Sequence, residues 1–199
     1  YFIKNKGEKD MKRDFKNEAP INIVIRIIRA VFKRVRGKCY FYLGSFSQES
    51  SPEITFGKGA RFINSKSITL KDNVHFGLLS RLECFGKGVI FIGKSSSCGD
   101  YVHIGSVSSI SIGKNVLIGS NVLIIDHNHG SPKIDLESNT KVPPRERPLS
   151  TKGLIIIEDN VWIGDGVVIL SGVTIGAGSI IGANTIVKNN IDSNTIYAT

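Results

Sequence analysis

Apolar residues in this chain recur neither at the helical period of about 3.6 nor in the alternation of about 2 that marks a half-buried strand. They recur at every sixth position. From Ile157 the series runs through Ile163, Ile169, Ile175, Ile181 and Val187, all β-branched aliphatics. Four residues beyond each stands a small or β-branched residue: Val161, Val167, Val173, Ser179, Thr185 and Ile191. Gly164, Gly176 and Gly182 directly follow the aliphatic, as expected of a turn that needs a permissive backbone. Six residues suit a short strand plus a corner. Three such sides close a triangular coil of about 18 residues, a parallel solenoid whose inward aliphatics stack coil on coil. Each buried Ile contributes roughly 1.5–3 kcal/mol by leaving water, so the ladder dominates stability.

The ladder continues upstream through Ile112, Ile118 and Ile124, then Ile92, Cys98 and Ile104, then Leu70, Phe76 and Leu82, and opens at Phe56 and Phe62. About six coils are expected, with one or two residues inserted between them. Ile124 and Ile157 lie 33 residues apart where six would continue the ladder. The segment between, about 127–153, holds Pro132, Pro143, Pro144 and Pro148 and reads as an extruded loop. The chain divides into a basic N-terminal segment, 1–45, and a β-helix domain, 46–199.

In the N-terminal segment the period changes to that of a helix. Ile21, Val24, Ile28, Val31 and Val35 share one face, and Arg26, Arg29, Lys33 and Arg36 the opposite one. Residues 1–18 are highly charged and are expected to be poorly ordered. Of the net charge of +9, residues 1–40 supply 12 Lys+Arg against 4 Asp+Glu, while the rest is nearly balanced. The basicity therefore describes the appendage, and no nucleic-acid partner is expected for the body. The helix has two readings. It caps the open end of the solenoid, where unpaired strands would invite aggregation, or residues 20–36 make a peripheral contact with an anionic membrane surface. Capping is the plainer one. No apolar run approaches the roughly 18 residues of a membrane span. Cys39, Cys84 and Cys98 show no metal-like spacing and read as reduced, buried, small hydrophobes, which suits the cytoplasm or the inner face of its membrane.

The stretches IGKNVLIGSNVLIIDHNHG at 112–130 and PPRERPLSTKGLIIIEDNVWIGDGVVILSGVTIGAGSIIGANTIV at 143–187, with the proline-rich loop between them, resemble the hexapeptide-repeat acyltransferases. The nearer resemblance is to the branch of bacterial polysaccharide, maltose and galactoside O-acetyltransferases, including those acting on O-antigen or capsule. It covers about 50–198. It implies a left-handed parallel β-helix and a homotrimer with active sites between neighbouring prisms. It also implies acetyl-CoA as co-substrate, a sugar or glycan acceptor and no metal. Relatives often carry Thr-Lys where this chain has Lys188 and Asn189.

A sugar hydroxyl needs a base before it attacks a thioester, and a neutral imidazole near its ordinary pKa of about 6.5 suits the task. His127 and His129 open the loop; each reads from the residues alone as a base or as a backbone-bonded loop histidine. The resemblance assigns the base to His127, with His129 as second candidate or substrate anchor. Asp126 either fixes the imidazole tautomer or is an exposed turn aspartate. Trp162 should face outward, as a wall for acceptor or pantetheine or as a contact for a neighbouring subunit or the loop. By resemblance the coenzyme lies along Gly164, Asp165, Gly182, Ala183 and Lys188, though Lys188 is equally a solvated lysine. Arg145 and Arg147 either bind an anionic acceptor such as a sialylated sugar or pair with Glu146 or a neighbour. His103, beside the inward Ile104, should point outward; it either reaches the same cleft as His127 or is a surface histidine, the plainer reading. Two rival functions stand beside this one: a zinc enzyme like the γ-class carbonic anhydrases, drawing on His103, His127 and His129, and a non-catalytic β-helix that binds polysaccharide.

Overall fold

A computed structural model describes residues 19–130 and 142–198. The expectation of disorder for residues 1–18 and the centre of the extruded loop, with Pro132, lie outside them. The body is a parallel β-solenoid whose three faces carry seven, six and five strands. Apart from Tyr197, the inward columns are those read from the sequence. On the first face Phe56, Phe76, Cys98, Ile118, Ile163, Ile181 and Tyr197 stack in register. On the second the column is Phe62, Leu82, Ile104, Ile124, Ile169 and Val187. On the third it is Leu70, Ile92, Ile112, Ile157 and Ile175. The seventh strand of the first face, Ile196–Tyr197, adds a turn to the six expected. Ile157 pairs directly with Ile112, so the loop leaves the coil and returns without disturbing its stacking.

The glycines after the aliphatics have another cause than the one expected. None of Gly164, Gly176 and Gly182 has a positive φ. A Cβ on Gly164 would stand 2.7 Å from the Ala183 nitrogen, and one on Gly176 would stand 2.4 Å from the Ser193 nitrogen. These positions lack side chains because the next coil's backbone fills the space. The left-handed corner falls two residues later, at Asn115, Asn121, Asn160, Gly166, Gly172, Gly178, Asn184 and Asn194. Asn and Gly tolerate that conformation best.

The helix runs Pro20–Tyr42, six residues beyond the amphipathic stretch. Its last turns close the solenoid end, as the capping reading expects. Tyr40 packs edge-on against Phe46, Phe56 and Phe62, and Phe56 stacks on Phe76 at 5.0 Å. Gly37 is the buried helical residue; a Cβ there would stand 1.8 Å from the Ile54 carbonyl oxygen. The stripe from Ile21 to Val35 does not join this packing and remains exposed. Cys84 and Cys98 are buried and free, whereas Cys39 is exposed on the helix, contrary to expectation. Burial pushes the Cys84 thiol up to about 11, which leaves it protonated and unreactive.

Candidate active site

The second face carries a groove of about 390 Å³ where the chain leaves the coil for the loop. Its floor is a row of paired residues, Glu83, Gly105 and Ile125. Alternation along the strands turns Leu82, Ile104 and Ile124 inward and leaves their neighbours outward. Gly105 is the notch in this row. A Cβ there would stand 3.3 Å from His127 Cε1 and 3.6 Å from His103 Nε2, so both imidazoles lie over the space that a side chain would fill.

Asp126 holds His127 from behind. Its side chain is fully buried, which settles it against the exposed-turn reading. The carboxylate accepts Ser106 Oγ–H at 2.8 Å, Val107 N–H at 2.8 Å and Ser108 N–H at 2.9 Å. It also lies 3.3 Å from His127 Nδ1. That contact assigns the proton of a neutral His127 to Nδ1 and leaves the Nε2 lone pair open. Phe85 packs edge-on against the ring at 5.6 Å. His127 is thus a nearly buried imidazole with fixed tautomer and orientation, the arrangement a general base requires.

A second polar cluster shares the groove. Arg81 Nε and Nη2 donate to Glu83 Oε1 at 3.1 and 2.8 Å, and Nη2 lies 3.0 Å from Oε2. His103 Nε2 meets Oε2 at 2.9 Å. Burial works to raise the Glu83 carboxyl, but the bonds from Arg81 and His103 outweigh it and hold the group below the usual carboxylate range. Burial, with smaller contributions from Arg81 and His127, lowers the pKa of His103 despite Glu83. The pair is therefore a carboxylate and a neutral imidazole, with His103 donating. Of the two readings of His103, the cleft one holds rather than the plainer surface one: it lines the groove.

His129 also lines the groove, on a short strand, Asn128–His129, antiparallel to Leu149–Ser150. Other expected site residues stand elsewhere. Trp162 is half exposed on the first face, between Leu117 and Ile180, and does not line the groove. Arg145 lies within a single helical turn in the loop, Pro144–Glu146, and Arg147 follows it, its Nε donating to the Val142 carbonyl; neither lines the groove. Asp165 accepts the Ser120 N–H at 2.6 Å and ties two coils together. A Cβ on Gly182 would meet that of Ala198 at 2.8 Å, while Lys188 is exposed. Among the described residues of the one chain no three His, Cys, Asp or Glu side chains converge as a metal-holding group. The sequence reading missed Arg81, Glu83 and Phe85, which lie some forty residues from His127 and in no motif with it.

Two family models fall on the coils: bacterial transferase hexapeptide (six repeats) on residues 155–189, and hexapeptide repeat of succinyl-transferase on residues 109–130. Among solved structures, a serine-to-cysteine variant of AntD, an N-acyltransferase from Bacillus cereus, in complex with dTDP-4-amino-4,6-dideoxyglucose and coenzyme A, matches with a TM-score of 0.63. It is 24% identical over 74% of this chain and 76% of that one. The variant with alanine in place of the same serine matches at 0.61 and 21% identity over 80% and 82%. These likenesses show the fold. WbbJ of Escherichia coli (strain K12), named for O-acetyl transfer in lipopolysaccharide biosynthesis, is 43% identical over 136 residues, 68% of this chain and 69% of WbbJ. By that identity the chain belongs to the hexapeptide-repeat acyltransferases of the polysaccharide O-acetyltransferase type.

Proposed function

We propose that the protein transfers an acetyl group from acetyl-CoA to a hydroxyl of a bacterial surface-glycan sugar, with His127 as general base. The observation that carries this is the buried Asp126 carboxylate behind His127 Nδ1. His127 Nε2 takes the hydroxyl proton as the sugar oxygen attacks the thioester carbonyl. Backbone N–H groups at the coil corner meet the oxyanion. The C–S bond then breaks, the ester forms, and the imidazolium returns its proton to the coenzyme thiolate. His129 is the second candidate for the base. The coenzyme lies along the corner edge of Gly164, Asp165, Gly182 and Ala183 with Lys188 toward its phosphates. Since the stacked coils already account for the two glycines and for the Asp165 carboxylate, its contacts there are mainly with backbone.

A homotrimer belongs to this reading. Leu117, Trp162 and Ile196 are each at least half exposed on the first face, a band that a neighbouring prism covers. In the trimer Trp162 approaches a neighbour's acceptor. A cytoplasmic location is compatible with the described residues, of which no helix is long and apolar enough to cross a membrane. A peripheral contact through residues 20–36 is the further part. Ile21, Val24, Ile28, Val31 and Val35 are 47–63% exposed, and Pro20–Tyr42 carries cations but no carboxylate.

The first test is acetyl-CoA turnover, read as thiol release, with a panel of bacterial glycans and with His127→Ala beside wild type. Glycan-dependent release that the substitution abolishes is the expected result. Near-full activity in His127→Ala removes the base assignment and turns attention to His129. Sedimentation velocity checks the trimer. Anionic vesicles should retain wild type but not Ile28→Glu/Val31→Glu; equal retention removes the membrane contact.

A further inference from the structure

We infer that the acceptor unit in the groove is a neutral sugar, oriented by the Arg81–Glu83–His103 network, and that sugars bearing a carboxylate are disfavoured. This rests on the acetyltransferase reading and specifies its substrate class. The charge on the wall decides it. Among the described residues, the one guanidinium lining the groove is that of Arg81, and it already meets a carboxylate at 2.8 Å, with two of its nitrogens engaged. His103 is neutral, because burial lowers its pKa and Glu83 only partly restores it. The arginines that would favour an anionic sugar, Arg145 and Arg147, do not line the groove. Among the described residues, a sugar carboxylate entering beside His127 would find one neutralised cation, the Glu83 carboxylate on the same wall and that of Asp126 behind it.

The hydrogen-bonding inventory points the same way. Arg81 lines the groove and uses Nε and Nη2 on Glu83, a pair in which its Nη1 donors take no part. His103 donates through Nε2 to Glu83, so its Nδ1 is an acceptor. Asn128 adds an amide that donates and accepts. Paired donors and acceptors suit hydroxyl groups, which do both; a carboxylate only accepts. Glu83, with a side chain 9% exposed and held from both sides, fixes the network before the sugar arrives, which lowers the cost of ordering it. Phe85 completes the wall with an apolar surface beside the base.

The test is thiol release by the full chain with acetyl-CoA and two acceptor sets. One holds methyl glycosides and oligosaccharides of glucose, galactose and N-acetylglucosamine. The other holds their glucuronic and N-acetylneuraminic acid counterparts. Wild type is expected to favour the neutral set by about 10-fold or more in kcat/KM. Arg81→Ala is expected to raise KM for neutral acceptors about 10-fold with kcat nearly unchanged. Glu83→Gln, which keeps the shape and frees the Arg81 charge, is expected to shift the ratio toward carboxylated acceptors by about 10-fold. Thermal melts confirm that both variants fold. Should one melt early, the wild-type ratio still decides. Equal or faster turnover of carboxylated sugars by wild type overturns the inference while leaving the acetyltransferase reading intact. So does an unmoved ratio in a folded Glu83→Gln. No turnover of either set overturns both.

Discussion

Asp126→Asn separates the structural work of the buried carboxylate from its effect on the proposed base. The carboxylate receives four donors, from Ser106, Val107, Ser108 and His127. An asparagine keeps one oxygen and replaces the other with an NH2. If the oxygen stays toward Val107 and His127, the amide faces Ser106 Oγ and the Ser108 N–H. The serine hydroxyl can turn and accept. The Ser108 N–H cannot, and one buried donor is orphaned at about 1–3 kcal/mol. The opposite rotamer would set the amide against both Val107 N–H and His127 Nδ1–H, so the first is favoured. Charge assistance is lost on the bonds that remain, about another 1 kcal/mol. A total of about 3 kcal/mol lowers Tm by about 10 °C in a chain of this size. The tautomer of His127 survives, but the carboxylate that stabilises its imidazolium is gone, so kcat should fall about 100-fold. Thermal melts and thiol release read the two effects separately. A variant that melts within about 3 °C of wild type and keeps a third of its activity would refute the reasoning, because a carboxylate with four donors would then be dispensable.

Gly105→Ala places a methyl 3.3 Å from His127 Cε1 and 3.6 Å from His103 Nε2. With Asp126 and Phe85 limiting the ring's retreat, activity should drop about 10-fold with little change in the melting curve, and an unaffected rate would mean the imidazoles have room to spare. Gly37→Ala drives a Cβ into the Ile54 carbonyl, so the helix must lift from the aromatic end of the solenoid; limited proteolysis should cut 20–42 faster than in wild type. His103 has a folded pKa below its ordinary value, as does Glu83. The unfolded chain therefore binds more protons, and stability should decline as pH falls through about 6.5 and again below about 4.5. Urea unfolding from about pH 7.5 to 5 should show the first decline in wild type and a smaller one in His103→Gln, where His75, also lowered chiefly by burial, still contributes.

The two halves of the candidate site differed in how far they could be read in advance. His127 and Asp126 were legible because they adjoin the point where the six-residue ladder breaks, and a break in a repeat stands out against it. The role of Asp126 stayed open because burial at a corner depends on the coil below, here Ser106 to Ser108. Arg81 and Glu83 were not legible. They sit on outward positions of an earlier coil, where the repeat permits any residue, and their partner His103 carries no motif. Gly164 and Gly176 serve the close approach of a neighbouring coil and not a positive φ, two causes that look alike in local sequence.

By itself the sequence determined the solenoid, its inward columns, the place of the loop and the amphipathic helix. Each follows from which residues must leave water, and a period of six has few ways to bury them. Only the tertiary structure decided which outward residues share the groove. Successive inward residues of the first face stand 20, 22 and 20 apart, then 45 across the loop and 18 after it. With coils of unequal length no fixed spacing links Glu83, Gly105 and His127. Their meeting is set by strand register and by the missing side chain at Gly105, and neither leaves a mark on any one segment of the chain.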